Sequence, residues 1–83
     1  MKNNNINWYY VSFETIKTKN GEEIFPDGEY FCAKDDEEAI KMAEEITANG
    51  VDYIDEGHFD LEMLCVTRVD PEREYEEIET IWY

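Results

Sequence analysis

Positive charge is what this chain has least of. Its 83 residues carry seven lysines and arginines against 22 aspartates and glutamates, a formal net charge of −15. A phosphate backbone attracts a protein through Lys and Arg, so direct nucleic-acid binding through a basic patch would have the wrong electrostatic sign. Anionic lipid headgroups would repel the same surface. No apolar stretch approaches the ~20 residues needed to cross a bilayer, and the opening Met-Lys-Asn-Asn-Asn lacks the apolar run of a secretory signal. The expectation is a soluble protein with no membrane contact, located in the cytoplasm, and in the host-cell cytoplasm if the chain is phage-encoded.

Chemical motifs are equally scarce. There is one histidine, His58, no Gly-rich phosphate loop and no Cys-x-x-Cys pair. Cys32 and Cys65 stand 33 positions apart in apolar, strand-like surroundings, which points to two reduced, buried thiols rather than to zinc or redox work. Carboxylate pairs serve as acid and base only where a cleft pushes two pKa values apart, and a chain this short offers little scaffold for one. The segment Asp52-x-x-Asp55-Glu56-Gly57-His58-x-Asp60-x-Glu62 gathers oxygen ligands around one imidazole. It lacks the spacing of an EF-hand and the nitrogen or sulfur that zinc prefers. The sequence therefore predicts no enzyme, no catalytic residue, no cofactor and no metal site, with this segment a solvated acidic loop.

What is present is enough to fold. Hydrophobic residues make up 42% of the chain and aromatic residues 14%, well above the composition of a disordered acidic tail. The length sets a single domain, residues 1–83, of a size that buries only about 60% of the surface its unfolded chain exposes. The acid is unevenly placed. Residues 1–21 hold three lysines and one glutamate, whereas residues 22–83 hold 21 acids and four basic residues.

Residues 7–18 alternate Tyr9, Val11, Phe13 and Thr15 with Trp8, Tyr10, Ser12, Glu14 and Ile16, apolar on both sides, as suits a central strand. Asn20-Gly21 is a turn signal, Pro26-Asp27-Gly28 a second one, and residues 29–34 read as the return strand. Residues 35–49 predict a helix. Asp35 or Asp36 caps it, Glu37 and Glu38 fill the first turn, and Ala39, Met42, Ala43 and Ile46 recur at helical spacing. Asn49-Gly50 supplies its left-handed stop. Residues 51–60 read as a loop and residues 61–69 as a strand. The last segment, 71–83, fits a helix or a strand, with the β-forming residues 78–83 favouring the strand. The fold class is α+β: a small antiparallel sheet with one packed helix in the order β-β-α-β-β. The helix is expected to pack by its apolar stripe on Val11, Phe13, Phe31, Leu64 and Val66.

The run Tyr30-Phe31-Cys32-Ala33-Lys34-Asp35-Asp36-Glu37-Glu38-Ala39-Ile40 resembles the strand-to-helix junction of the DpnD/PcfM-like domains of mobile elements. There a hairpin leads into an acidic helix followed by Asn-Gly and a further strand, and Asn49-Gly50 falls in the matching place. The resemblance spans residues 8 to 69 and implies the same hairpin, helix and strand; it brings no chemistry with it. In overall character the chain is also similar to the small acidic inhibitors of phages, the DNA mimics and anti-CRISPR proteins, a likeness of composition alone.

So many like charges on a small domain repel one another, and the simplest compensating gain is a cationic partner. The candidate partner-binding residues are the acids Glu37, Glu38, Glu44, Glu45, Asp52, Asp55, Glu56, Asp60, Glu62, Glu72, Glu74, Glu76, Glu77 and Glu79. Beside them stand the aromatics Tyr53, Tyr75, Trp82 and Tyr83, of the residue types that dominate binding hot spots. In a strand, Glu72, Glu74 and Glu76 would line one face about 6.7 Å apart; in a helix, Glu72, Glu76 and Glu79 would share a side. The expected partner is a basic nucleic-acid-binding protein whose groove these carboxylates occupy in place of phosphates. The protein itself is expected as a monomer or weak homodimer. The competing expectation is a non-enzymatic interaction or accessory domain of a phage or mobile element that docks through its sheet edge or its aromatic N-terminal strand and does not imitate nucleic acid.

Overall fold

A computed structural model describes residues 6–17, 20–49 and 61–83. Among these residues six strands, one helix and one 3-10 turn follow in sequence: β1 (Asn7–Phe13), β2 (Ile16–Lys17), β3 (Glu23–Ile24), β4 (Glu29–Ala33), α1 (Asp36–Ala48), β5 (Met63–Asp70), the turn Pro71–Arg73 and β6 (Glu76–Trp82). Four of the strands form an antiparallel sheet in the order β4-β1-β5-β6, and β2 and β3 pair as a separate two-stranded ribbon. This is the α+β arrangement expected from the sequence, with strands on either side of a single packed helix.

The alternation read in β1 is realised. Tyr9, Val11 and Phe13 are buried on the helix side, while Trp8, Tyr10 and Ser12 are half-buried on the other. As an inner strand β1 pairs with both β4 and β5, so both of its edges are hydrogen-bonded. The strand stops at Phe13 instead of running on to residue 18. Glu14 then donates its backbone N–H to the Glu62 carbonyl at 2.8 Å, and Ile16–Lys17 turn into the ribbon opposite Glu23–Ile24. Gly21, at φ +85°, lies in the connection between the two ribbon strands, where a side chain would be strained. Residues 25–28 run irregularly into β4.

The helix begins where the sequence predicts. Asp35 caps it by accepting the Glu38 N–H at 2.8 Å, and Glu38 reaches back to accept the Lys34 N–H at 2.7 Å. The first bond satisfies a first-turn donor that a helix N-terminus leaves without an intrahelical partner, and the second ties the end of β4 to that turn. At the other end Asn49 has φ −88°, so it is not itself left-handed; Gly50 lies outside the described residues. Ala39 and Ala43 are fully buried, and Met42 and Ile46 pack beside them against Tyr9, Val11, Phe13, Phe31, Ala33, Leu61 and Val66. Two alanines on the inner stripe let the helix approach the sheet closely, which suits the large Tyr9 and Phe31 rings, 5.7 Å apart and stacked, facing it.

Leu64 does not join this core; it is 49% exposed. The register between β1 and β5 slips between Ser12 and Phe13, so that Ser12 faces Cys65 and Phe13 faces Met63, with Leu64 left over. A bulged residue is carried out of the alternation that Val66 obeys. The final segment is a strand, and it contains two further slips: Arg68 faces Glu79 and Val69 faces Glu77, then Thr67 faces Thr80 and Val66 faces Trp82. Ile78 and Ile81 are the extra residues. As a result Ile81 and Trp82, though adjacent in sequence, both pack against the core.

Candidate interaction surface

The helix covers one face of the sheet, and among the described residues no second helix covers the other. Cross-strand partners share a face, so Trp8, Tyr10 and Ser12 stand there with Cys32, Tyr30, Val69, Thr67 and Cys65. Polar contacts knit this side together: Ser12 Oγ lies 3.0 Å from Cys65 Sγ, and Thr67 Oγ1 3.3 Å from Thr80 Oγ1. The two thiols are free and half-buried. They sit on strands either side of β1 and four residues apart along it, about 10 Å across and 13 Å along. A disulfide needs Cα atoms within about 7 Å, so these thiols cannot pair in this fold.

Above the sheet the aromatic rings form a chain. Tyr10 meets Tyr30 at 4.6 Å between centroids, Tyr30 meets Tyr75 at 4.7 Å, and Tyr75 and Trp8 meet in a T-shaped contact at 5.7 Å. Tyr10 is held at its far end by Gly28, whose N–H donates to the Tyr10 hydroxyl at 3.2 Å. Tyr75 arrives from the β5–β6 connection. Asp70 caps the 3-10 turn by accepting the Glu72 N–H at 3.0 Å, Glu74 and Tyr75 adopt φ of 58° and 60°, and the Tyr75 N–H donates to the Asp70 carbonyl at 2.8 Å. This left-handed pair folds the tyrosine back over the sheet. Val69, opposite Trp8, is buried although it lies outside the helix-side core.

The acidic candidates separate into groups. Glu37, Glu44 and Glu45 are exposed on the helix, whereas Glu38 is half-buried and engaged by the Lys34 N–H. Glu62 is exposed just before β5. Glu72, Glu74, Glu76, Glu77 and Glu79 are all exposed on the turn and on edge strand β6. They make neither the single strand row nor the helical face considered from sequence, because Glu72 lies in the 3-10 turn and Glu74 in the left-handed bend. Glu79 is bound by Arg68 at 3.1 Å, and Glu76 lies 3.8 Å from Arg73. Among the described residues Glu72, Glu74 and Glu77 have no cationic partner.

The aromatic candidates also divide. Tyr75 belongs to the ring chain, Trp82 packs against the core, and Tyr83 is 91% exposed at the end of β6. Asp52, Tyr53, Asp55, Glu56 and Asp60 lie outside the described residues, as does the loop they were expected to form. Trp8 and Tyr10 lie on the aromatic N-terminal strand through which the accessory-domain reading expected docking, although neither they nor Tyr30 were named as surface residues; their alternation with Tyr9, Val11 and Phe31 was the available signal. At the Trp8 end a shallow groove of about 420 Å³ runs past Ile6, Arg68, Asp70, Pro71 and Glu72. Its Asp70 carboxylate is already committed to the Glu72 N–H and faces Arg73 at 4.0 Å. Among the described residues no cluster of three or more His, Cys, Asp or Glu could hold a metal ion, and no helix is long and apolar enough to cross a membrane.

Comparison of the chain with protein-family models, with curated proteins and with solved structures finds no match.

Proposed function

We propose that this protein is a stoichiometric inhibitor: a folded, acidic imitation of nucleic acid that blocks the basic groove of a nucleic-acid-binding host defence protein, such as a CRISPR effector or a restriction enzyme. The observation that carries this reading is the exposed carboxylate run from Glu72 to Glu79, in which three acids have no cationic partner among the described residues. Side chains alternate between the two faces of a strand, so β6 carries negative charge on both sides of the sheet edge, Glu77 beside Val69 and Glu76 and Glu79 beside Asp70 and Arg68. Glu37, Glu44 and Glu45 on the helix extend the field, which steers a cationic partner at long range.

The second reading is a non-enzymatic interaction or accessory domain of a phage or mobile element, and the ring chain Tyr10-Tyr30-Tyr75-Trp8 favours it, because imitation of phosphates does not need an aromatic face. Capture from host lysate followed by mass spectrometry identifies the partner, and competition with duplex DNA and RNA then separates the readings. The mimic reading expects a nucleic-acid-binding protein, an affinity that falls steeply with salt, and mutual exclusion with nucleic acid. A partner that accepts this protein and its nucleic acid together moves the conclusion to the second reading.

A further inference from the structure

Resting on the reading above that the partner is cationic, we infer that the aromatic face of the sheet is itself a recognition site and takes arginine side chains from a partner protein. The rings are placed as a surface and not as a second core. Tyr30 is 49% exposed and Tyr75 38% exposed, while the layer beneath them, Val69 and Thr67, is buried. The bend that delivers Tyr75 holds two consecutive residues with side chains in the left-handed region. That conformation is disfavoured outside glycine, and strained backbone concentrates where a side chain must be held for use.

The charge around the rings selects the ligand. Glu74 precedes Tyr75 directly, and Glu77 stands opposite Val69 on the aromatic side of the sheet. Both are exposed and without a cationic partner among the described residues. The faces of aromatic rings carry negative quadrupole density and attract cations. A guanidinium group is planar and weakly hydrated, so it stacks on a ring while its edge donates to a neighbouring carboxylate. An ammonium group satisfies the carboxylate but gains less from the ring, because it is compact and strongly hydrated. A face of tyrosines bordered by free glutamates therefore discriminates arginine from lysine, which an acidic edge alone does not.

The test titrates hexa-arginine and hexalysine peptides into the isotope-labelled full chain. Its two tryptophans give separate indole N–H signals, Trp8 beside Tyr75 and Trp82 against the helix-side core. The arginine peptide is expected to bind about fivefold more tightly than the lysine peptide, moving the Trp8 signal and leaving Trp82 in place. Tyr30→Thr, which keeps a strand-forming residue, is expected to abolish the preference while leaving lysine-peptide affinity unchanged; the Trp82 signal reports that the variant is folded. Equal affinity of the two peptides for the wild type, absence of binding by both, or movement of Trp82 with Trp8 still, overturns the aromatic site. Glu72→Gln, Glu74→Gln and Glu77→Gln together are expected to weaken both peptides. If that variant binds them unchanged, the acidic-edge reading fails, and an arginine preference still removed by Tyr30→Thr keeps the aromatic site on its own footing.

Discussion

Tyr9 on the central strand donates its phenolic proton to Asp36 Oδ1 at 2.8 Å, tying the sheet to the first turn of the helix. Asn7 Nδ2 donates to the same phenolic oxygen at 3.4 Å. Burial of the ring, reinforced by the hydrogen bond to the Asp36 carboxylate, pushes the Tyr9 phenol from its ordinary 10.0 up to about 12. Ionising it would place a phenolate against a carboxylate inside the fold, which both desolvation and charge oppose.

The consequence for pH has a definite sign. Below pH 10 the protonated phenol contributes its full stabilisation; as pH rises from 10 to about 12 the unfolded chain releases a proton that the folded chain retains, and stability falls. Two pKa units correspond to about 3 kcal/mol at order of magnitude. Denaturant midpoints measured across this range should show the loss in the wild type and not in Tyr9→Phe. At neutral pH Tyr9→Phe should itself cost about 1–2 kcal/mol through the missing hydrogen bond. An identical pH slope in the two proteins would remove Tyr9 as its source.

Gly28→Ala should destabilise the domain by about 1–3 kcal/mol, as overpacking does. A Cβ at this position would collide with the Val11 carbonyl oxygen and with the Tyr10 ring and hydroxyl, and the backbone atom among these cannot swing aside. Thermal unfolding checks the size of the effect. A melting temperature equal to wild type would mean that the segment before β4 does not rest on Tyr10.

Glu74→Gly should stabilise the protein slightly, by up to about 1 kcal/mol, because Glu74 has φ 58° and glycine adopts that conformation freely. Removing one carboxylate from a crowded acidic turn acts in the same direction. Chemical denaturation should show a raised midpoint with an unchanged slope. A fall in stability would show that the Glu74 side chain holds the bend together.

Ala43→Asp should unfold the domain, since it buries an unpaired charge at a site with no solvent exposure between helix and sheet. Glu44→Gln with Glu45→Gln should leave it folded, because both side chains are exposed on the outer helix. Circular dichroism of the two variants decides the matter, and a folded Ala43→Asp protein would overturn the packing of α1.

Raising NaCl from 10 to 150 mM should increase the melting temperature of the free protein by a few degrees, because the screening length shrinks from about 30 Å to about 8 Å and the exposed glutamates repel one another less. A flat or falling melting temperature would show that the acids are already compensated within the fold.

The helix was legible in the sequence because each of its signals is local. Asp35 four residues ahead of Ala39, acids in the first turn and apolar residues at helical spacing need no knowledge of the rest of the chain. The inner strand β1 was legible for the same reason, its period being visible within seven residues. Leu64 was placed in the core because strict alternation puts it on the same side as Val66, and the slip opposite Phe13 that turns it outward depends on a partner strand 50 positions away. Trp82 met the same difficulty, since the slips at Ile78 and Ile81 determine which side it takes. Glu74 and Tyr75 carry no glycine or asparagine to announce a left-handed bend, so the fold of Tyr75 over Trp8 and Tyr30 had no signal in the residues themselves.

The slips in β6 also bear on how much of this protein a cell can hold. An open sheet edge is a template on which a second copy can polymerise. Here that edge is bent twice, at Ile78 and Ile81, and carries Glu76, Glu77 and Glu79, so an identical strand brought alongside meets both a mismatched ladder and its own charge. On the proposed reading a one-to-one blocker has to accumulate at least to the abundance of whatever it blocks, and the bulges and charge of β6 oppose the pairing of copies along that edge, leaving β4 as the other edge of the sheet.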